Sequence, residues 1–522
     1  MRSESPPPPS TTPSPAGSAP LFLACILSLV TVAFGFVIRS FLLGDWRTQF
    51  NLSESQLGSL QGAGFYPQAL SILFFSLIID RVGYGRTMAF AFFAHIASVI
   101  ITATATGYTG LYVGTFVFAL AGGAVEAVIN PITATLYPRE KTHRLNILHA
   151  GWPAGMVVGG LLVIAFGASG GVNAWRWKVT LYLLPTLVYG FLMLGKRFPV
   201  QERVAAGVSY LEMLKEFGWI GCLIVSLFLG FAVDEILRVF DMPLNPLEIA
   251  AFALVPTSLF IVRIKSFGRP LFIFLMFIMI LLATTELGTD SWISALMTPV
   301  LKDLGSNAGN CVLIYTSAIM FVMRFFAGPI AHRLSPLGLL AASAAVAAVG
   351  LTWLGHAGTG PIVIFLAATI YACGKTFFWP TTLAVVSEQF PRGGALTISA
   401  IAAVGTISVG VLGNPLLGTI QDKYLDQRLA AVNPALHASI TEPAQTKYGM
   451  TFRPLDETKI KTLAPEERDV VERVRVENNQ ATLGKVAVLP MLMFLCYAGL
   501  LVFFRLRGGY RQVHMEEAPA FP

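Results

Sequence analysis

Fourteen stretches of about twenty mostly apolar residues run along this 522-residue chain, and no other feature narrows its fold as much. At a rise of about 1.5 Å per residue, one such stretch matches the hydrocarbon core of a bilayer. Hydrocarbon offers the backbone no water, so each stretch must close its own hydrogen bonds as a helix. The stretches fall near 21–43, 56–79, 87–106, 109–136, 147–169 and 177–195, then 219–237 and 247–264, then 270–299, 307–331, 336–356, 360–386, 394–419 and 484–505. Charged residues are only 12% of the chain and hydrophobic ones 55%, whereas a soluble domain carries about 25% charged residues. The reading is an all-α integral membrane protein. Two pseudo-symmetric six-helix bundles flank two extra central transmembrane helices, about fourteen in all.

The division that follows has five parts. Residues 1–20 form a Pro/Ser-rich tail too polar to bury anything and read as disordered. Residues 21–196 are the first bundle, 197–268 the central linker with its two helices, 269–507 the second bundle, and 508–522 a second tail. Within the second bundle, 421–483 is one long polar region, read as an extracytoplasmic loop, a solvated, dispensable cap with a short, weakly amphipathic helix at "APEERDVVERVRVENNQ". The middle pair is short and acidic at its join (Asp234, Glu235), so spanning and re-entrant readings both stay open.

Lys and Arg cluster in alternate loops: Arg81 and Arg86, Arg139 to Arg144, Lys196 to Arg203, Arg263 to Arg269, Arg333, Arg392, and Arg505 to Arg511. By the positive-inside rule those loops and both termini are cytoplasmic, in the cell (inner) membrane. The net charge of +7 is spread through these loops and makes no nucleic-acid surface. Five scattered cysteines in apolar segments make neither a disulfide framework nor a metal site. No phosphate loop, metal-spaced His/Cys cluster or activated nucleophile stands in the chain. The expectation is a monomeric transporter, not an enzyme, without cofactor or metal, whose partners are the bilayer, a small solute and protons.

An ionisable residue inside such a span is costly and is a functional candidate by default. "GGAVEAVINP" (122–131) places Glu126 and Asn130 one turn apart, with Pro131 directly after. Glu286 and Asp290 repeat the four-residue spacing beside Trp292, close enough that one should hold a proton. His149 and Trp152 share a face, Gln61, Tyr66 and Gln68 offer hydrogen bonds, and Trp379 offers a flat apolar wall. Gly151, Gly155 and Gly159 recur every fourth residue and read as close helix packing. Arg39 has no assigned partner and reads either as snorkelling to the outer interface or as an anion site.

The halves also repeat. "VEAVINPITATLYPR" (125–139) lies on "GKTFFWPTTLAVVSEQFPR" (374–392) when Pro131 is matched to Pro380, which puts Glu126 on Lys375. "SLIIDRVGYGR" (76–86) has a counterpart in "AGPIAHRLSPLG" (327–338). Asp80, Arg81, Gly83 and Arg86 match a loop signature, and in this the chain resembles the major facilitator superfamily. Residues 125–160 look like the fourth and fifth helices of the L-fucose/proton symporter family, with Glu-x-x-x-Asn-Pro and Arg-Leu-Asn. The resemblance implies alternating access, with Glu126 serving proton coupling and sugar recognition. Ser40 stands where that family's first-helix aspartate would fall, and Trp152 where its second fifth-helix asparagine would.

The roles expected are therefore proton coupling by Glu126 and Glu286, and solute binding by Asn130, His149, Trp152, Gln61, Gln68, Trp292, Trp379, Lys375 and Asp290. Gating falls to Asp80, Arg81, Gly83, Arg86, Arg324 and Arg333, with Arg324 and Arg333 bracing a cytoplasmic loop. A buried Lys375 needs an anion, which Glu126 (its counterpart in the repeat), Glu286, Asp290 or a solute group can supply. The leading function is proton-coupled transport of a small polar solute, a sugar; the alternatives are an organic anion held by Lys375 or Arg39, and a non-transporting receptor. A cysteine at Asp241 should react with impermeant reagent from outside if the middle pair spans; reaction from the cytoplasm alone would mean a re-entrant hairpin.

Overall fold

The computed structural model describes residues 15–52, 54–166, 174–238, 242–305, 307–447 and 449–515. In the first bundle α1 (Pro15–Phe50) precedes α2 (Glu54–Gly62) and α3 (Tyr66–Val82), which form one span, then α4 (Tyr84–Ala103) and α5 (Tyr108–Leu136). The fifth span is α6 (Lys141–His149) with α7 (Gly151–Ala165), and the sixth is α8 (Ala174–Thr180) with α9 (Leu183–Met193). A short α10 (Glu202–Ala205) leads to the central pair, α11 (Tyr210–Arg238) and α12 (Pro246–Ile264). The second bundle opens with α13 (Pro270–Ala283), a π-helical turn (Thr284–Gly288) and α14 (Thr289–Val300). It continues through α15 (Ala308–Arg324), α16 (Ala327–Leu334), α17 (Pro336–Leu354), α18 (Pro361–Lys375), α19 (Phe378–Gln389) and α20 (Gly394–Ser408).

Among the described residues twelve helices are long and apolar enough to cross a membrane, and α15 with α16, bent by 65°, make a thirteenth. The remaining expected span, near 177–195, is broken between α8 and α9. The helix count thus follows the apolar runs. Both middle runs are full-length, and α11 is longer than its apolar segment because it starts at Tyr210. Asp241, at their join, lies outside the described residues. So do residues 1–14, while Pro15 to Pro20 of the expected tail are already helical.

Two glycine pairs of contacts explain how the spans approach. On α7, a Cβ on Gly155 would lie 2.5 Å from the Val30 carbonyl oxygen of α1, and one on Gly151 would lie 2.7 Å from that of Ile26. Only glycine lets α7 sit so close. At the base of the central pair, Gly218 and Gly268 both have positive φ (69° and 93°) and their backbones touch. Arg269 closes this joint with an ion pair to Glu216 at 2.8 Å.

The polar region 421–483 is not a simple solvated loop. α21 (Asn414–Val432) and α24 (Pro465–Val486) carry their spans onward, and α22 (Pro434–Ile440), a hairpin of β1 (Gln445–Lys447) and β2 (Met450–Phe452), and α23 (Glu457–Lys461) fill the space between. Leu425, Leu429, Leu436, Ile440, Ile460, Val471 and Val474 form its own apolar core. α25 (Val488–Leu506) completes the bundle. Because Leu429 is fully buried there, Leu429→Ala should destabilise this cap by about 2–5 kcal/mol. Hydrogen exchange should quicken across α21 to α24 and stay unchanged in α1 to α7; unchanged cap protection would mean the cap has no core of its own.

Candidate functional site

Three breaks in helical geometry converge at the centre of the molecule, and one side chain joins them. The first lies between α6 and α7, where Pro153 has no N–H for the carbonyl of His149, four residues back. The second lies between α18 and α19, where Pro380 does the same to Thr376. The third is the π turn carrying Glu286. A carbonyl without its donor is costly away from water. Arg324, at the end of α15 and 1% exposed, supplies all three needs. It donates to the His149 carbonyl, to the Thr376 carbonyl at 3.0 Å, and to the Glu286 carboxylate at 3.2 Å. His149 belongs to the first bundle and the other two to the second, so this guanidinium ties the halves at mid-depth.

Beside it lies a cavity of about 30 Å³, lined by Phe65, Gln68, Glu126, His149, Trp152, Glu286, Leu287, Arg324, Trp379 and Thr406. That volume admits a water or two, so a solute needs the halves to part. Glu126 is buried, and Asn130 donates to it at 2.8 Å. Asn130 Oδ1 in turn accepts from His149 Nε2, 2.9 Å away. No cation among the described residues pairs with Glu126. The Oε2 atom of Glu286 is likewise buried without a partner. The cavity wall thus carries two carboxylates, one guanidinium and the indoles of Trp152 and Trp379.

Several expected residues sit elsewhere. Lys375 pairs with Asp290, a neighbour in its own bundle, and not with Glu126. Matching repeats gives a residue's depth, but not which way its side chain turns. Neither Lys375 nor Asp290 lines the cavity, and both are buried. Gln61 lines a separate cavity, Tyr66 bonds Tyr112, and Trp292 packs on the neighbouring apolar clusters. Arg324 is the central tie and does not brace a loop with Arg333, which is exposed. Arg39 is buried within the first bundle and does not snorkel. Phe65, Leu287 and Thr406 were not expected in the wall.

The end carrying the basic loops is closed. Lys141 reaches the Ser387 carbonyl (3.1 Å) and Glu202 (3.0 Å), and Thr142 donates to Glu388 at 2.7 Å. Tyr510 donates to the other oxygen of Glu388 at 2.7 Å, and Gln512 reaches the Pro138 carbonyl at 2.7 Å. Asp80 pairs with Arg203 of the linker, and Gly83, with φ of 84°, makes the turn into α4. Arg81 and Arg86 are exposed at this end.

The family model described as Major Facilitator Superfamily matches residues 23–418, well over half of the chain. The chain is 27% identical over 173 residues to the gentisate transporter of Corynebacterium glutamicum, a match covering 32% of this chain and only 37% of that protein. Its fold is similar to that of the E. coli fucose:proton symporter, with a TM-score of 0.58 at 14% identity, covering 92% of this chain and 98% of that one. The human organic anion transporter MFSD10 also has a TM-score of 0.58, at 11% identity, covering 93% and 100%.

The ion pair at the centre is asymmetric, because a lone carboxylate can take a proton whereas a guanidinium stays charged. Glu286→Gln should therefore cost about 3–5 kcal/mol, and adding Arg324→Gln should recover part of it. Thermal unfolding in detergent checks this; a single mutant as stable as the wild type would mean that the pair bears no such load.

Proposed function

The chain belongs to the major facilitator superfamily, and from that premise we propose that it is a proton-coupled secondary active transporter of a small polyhydroxylated solute. The observation that carries this reading is Glu126: buried, lining the cavity between the halves, and without a cationic partner among the described residues. A carboxylate at mid-span costs at least about 2.5 kcal/mol on insertion scales, and binding a proton removes that charge. Solute hydroxyls would donate to the open Oε2 of Glu286 and bond Gln68 and His149. The indoles of Trp152 and Trp379 would cover the apolar face of the ring. Opening the halves breaks the Arg324 to His149 bond, which couples occupancy to access. Asp80, Arg81, Gly83, Arg86 and Arg333 shape the basic end, which we place in the cytoplasm with both termini. A second reading, an organic acid as solute, draws on Arg324 in the cavity wall and on the gentisate transporter among the relatives.

Glu126→Gln keeps the shape but cannot exchange a proton. In proteoliposomes it should abolish pH-driven accumulation while counterflow, which moves no net proton, continues. Uptake should rise in the wild type as the pH on the uptake side falls, and this dependence should vanish in the mutant. Retained proton-driven uptake would move the coupling site to Glu286.

A further inference from the structure

Arg39 of α1 is a buried cation among neutral groups. It donates to Ser98 at 2.8 Å, to Tyr182 at 3.3 Å and to the Gly35 carbonyl at 3.3 Å, and its guanidinium lies 3.7 Å over the Phe118 ring. No carboxylate among the described residues pairs with it, and its Nε has no hydrogen-bond partner. A guanidinium does not shed its charge on burial, so an anion is the missing complement. Arg39 lines a cavity of about 40 Å³ whose wall also includes Trp46 and Thr115. Trp46 Nε1 and Thr115 Oγ1 are both buried and partnerless too. Three residues lining one cavity thus each carry an unsatisfied donor, a set that fits a ligand group that only accepts, and an ionised carboxylate is such a group.

The cavity's place gives that group a use. Ser291, from the second bundle, closes its wall, so it lies between the halves. Phe65 lines both this cavity and the central one. Phe36 packs on Phe65 and on Trp152, at 5.7 Å in each case, so these rings stand between residues of the two walls. We propose that the Arg39 cavity is an anion subsite that takes the carboxylate of a hydroxylated organic acid, the solute of this transporter. The inference rests on the transport reading above and narrows its solute class. The carboxylate lodges on Arg39, Trp46 and Thr115, and the hydroxylated body extends past Phe65 to Glu286.

The test uses full-length protein in detergent, with gluconate, gentisate and glucose as probes and sodium chloride as the control for ionic strength. At least one acid should raise the unfolding temperature where glucose and salt do not. Arg39→Gln should weaken that acid at least ~10-fold, the loss expected for a charged hydrogen bond. Thr115→Val removes a donor that has no partner, so it should leave ligand-free stability unchanged or higher and weaken the acid severalfold. Thr115→Val therefore decides the matter even if Arg39→Gln fails to fold. No shift with either acid, an equal shift with glucose, or undiminished acid binding in Thr115→Val overturns the subsite, the last meaning that these donors hold water. Flux in proteoliposomes separates the two levels. Glucose flux with no acid binding leaves transport standing and removes the subsite; acid binding without flux of any probe does the reverse.

Discussion

Arg324 is the group on which the centre of this molecule depends. Proline ends the regular hydrogen bonding at two places, Pro153 in the first bundle and Pro380 in the second, and leaves the carbonyls of His149 and Thr376 without backbone donors. In a water-poor interior such carbonyls must be answered by side chains. One guanidinium, with its fan of donors, answers both and still reaches Glu286. Three of the breaks in helical geometry thus meet at one guanidinium beside the central cavity. This follows the general expectation that non-helical backbone at membrane depth lines a cavity.

The same arrangement explains how binding and movement are joined. The tie from Arg324 to His149 crosses between bundles, as do the bonds of Lys141 and Thr142 at the basic end. The C-terminal segment adds to that closure through Tyr510 and Gln512. Burial also lifts the Tyr510 phenol well above its usual range, the Glu388 carboxyl beside it acting in the same direction, so Tyr510 stays a donor. Parting the halves must break polar bonds between groups that are buried in the closed state. Each broken bond raises the cost of opening, and a solute or proton that replaces one lowers it.

Much of this was legible in the sequence, and the failures have physical causes. Apolar runs located the spans because length and hydrophobicity are properties of single segments. Gly151, Gly155 and Gly159 announced the α1–α7 contact, because small residues one turn apart have few other uses in a helix. Glu126, Gln68, His149, Trp152 and Trp379 could be nominated because polar or aromatic groups at mid-span stand out. Pairings were less accessible. Lys375 and Glu126 share a depth in the repeat, yet Lys375 meets Asp290, since which neighbour a side chain faces depends on packing between helices. In the sequence Arg324 reads as a loop brace because it stands one turn before Gly328, near the basic end. The signal that would have found it was the paired Trp-Pro steps at 152–153 and 379–380. The cap's core was hidden because its apolar residues come from four separate helices, each contributing one or two.

The central claim is that Arg324 holds the two bundles together at mid-depth. It is tested most directly by the distance between spin labels at positions 139 and 332, exposed or nearly so on opposite bundles at the basic end. In wild-type protein the account predicts a short, dominant population. With Arg324→Gln it predicts a second, longer population, because the inter-bundle bond to His149 is gone. The same single distribution in both proteins would contradict it.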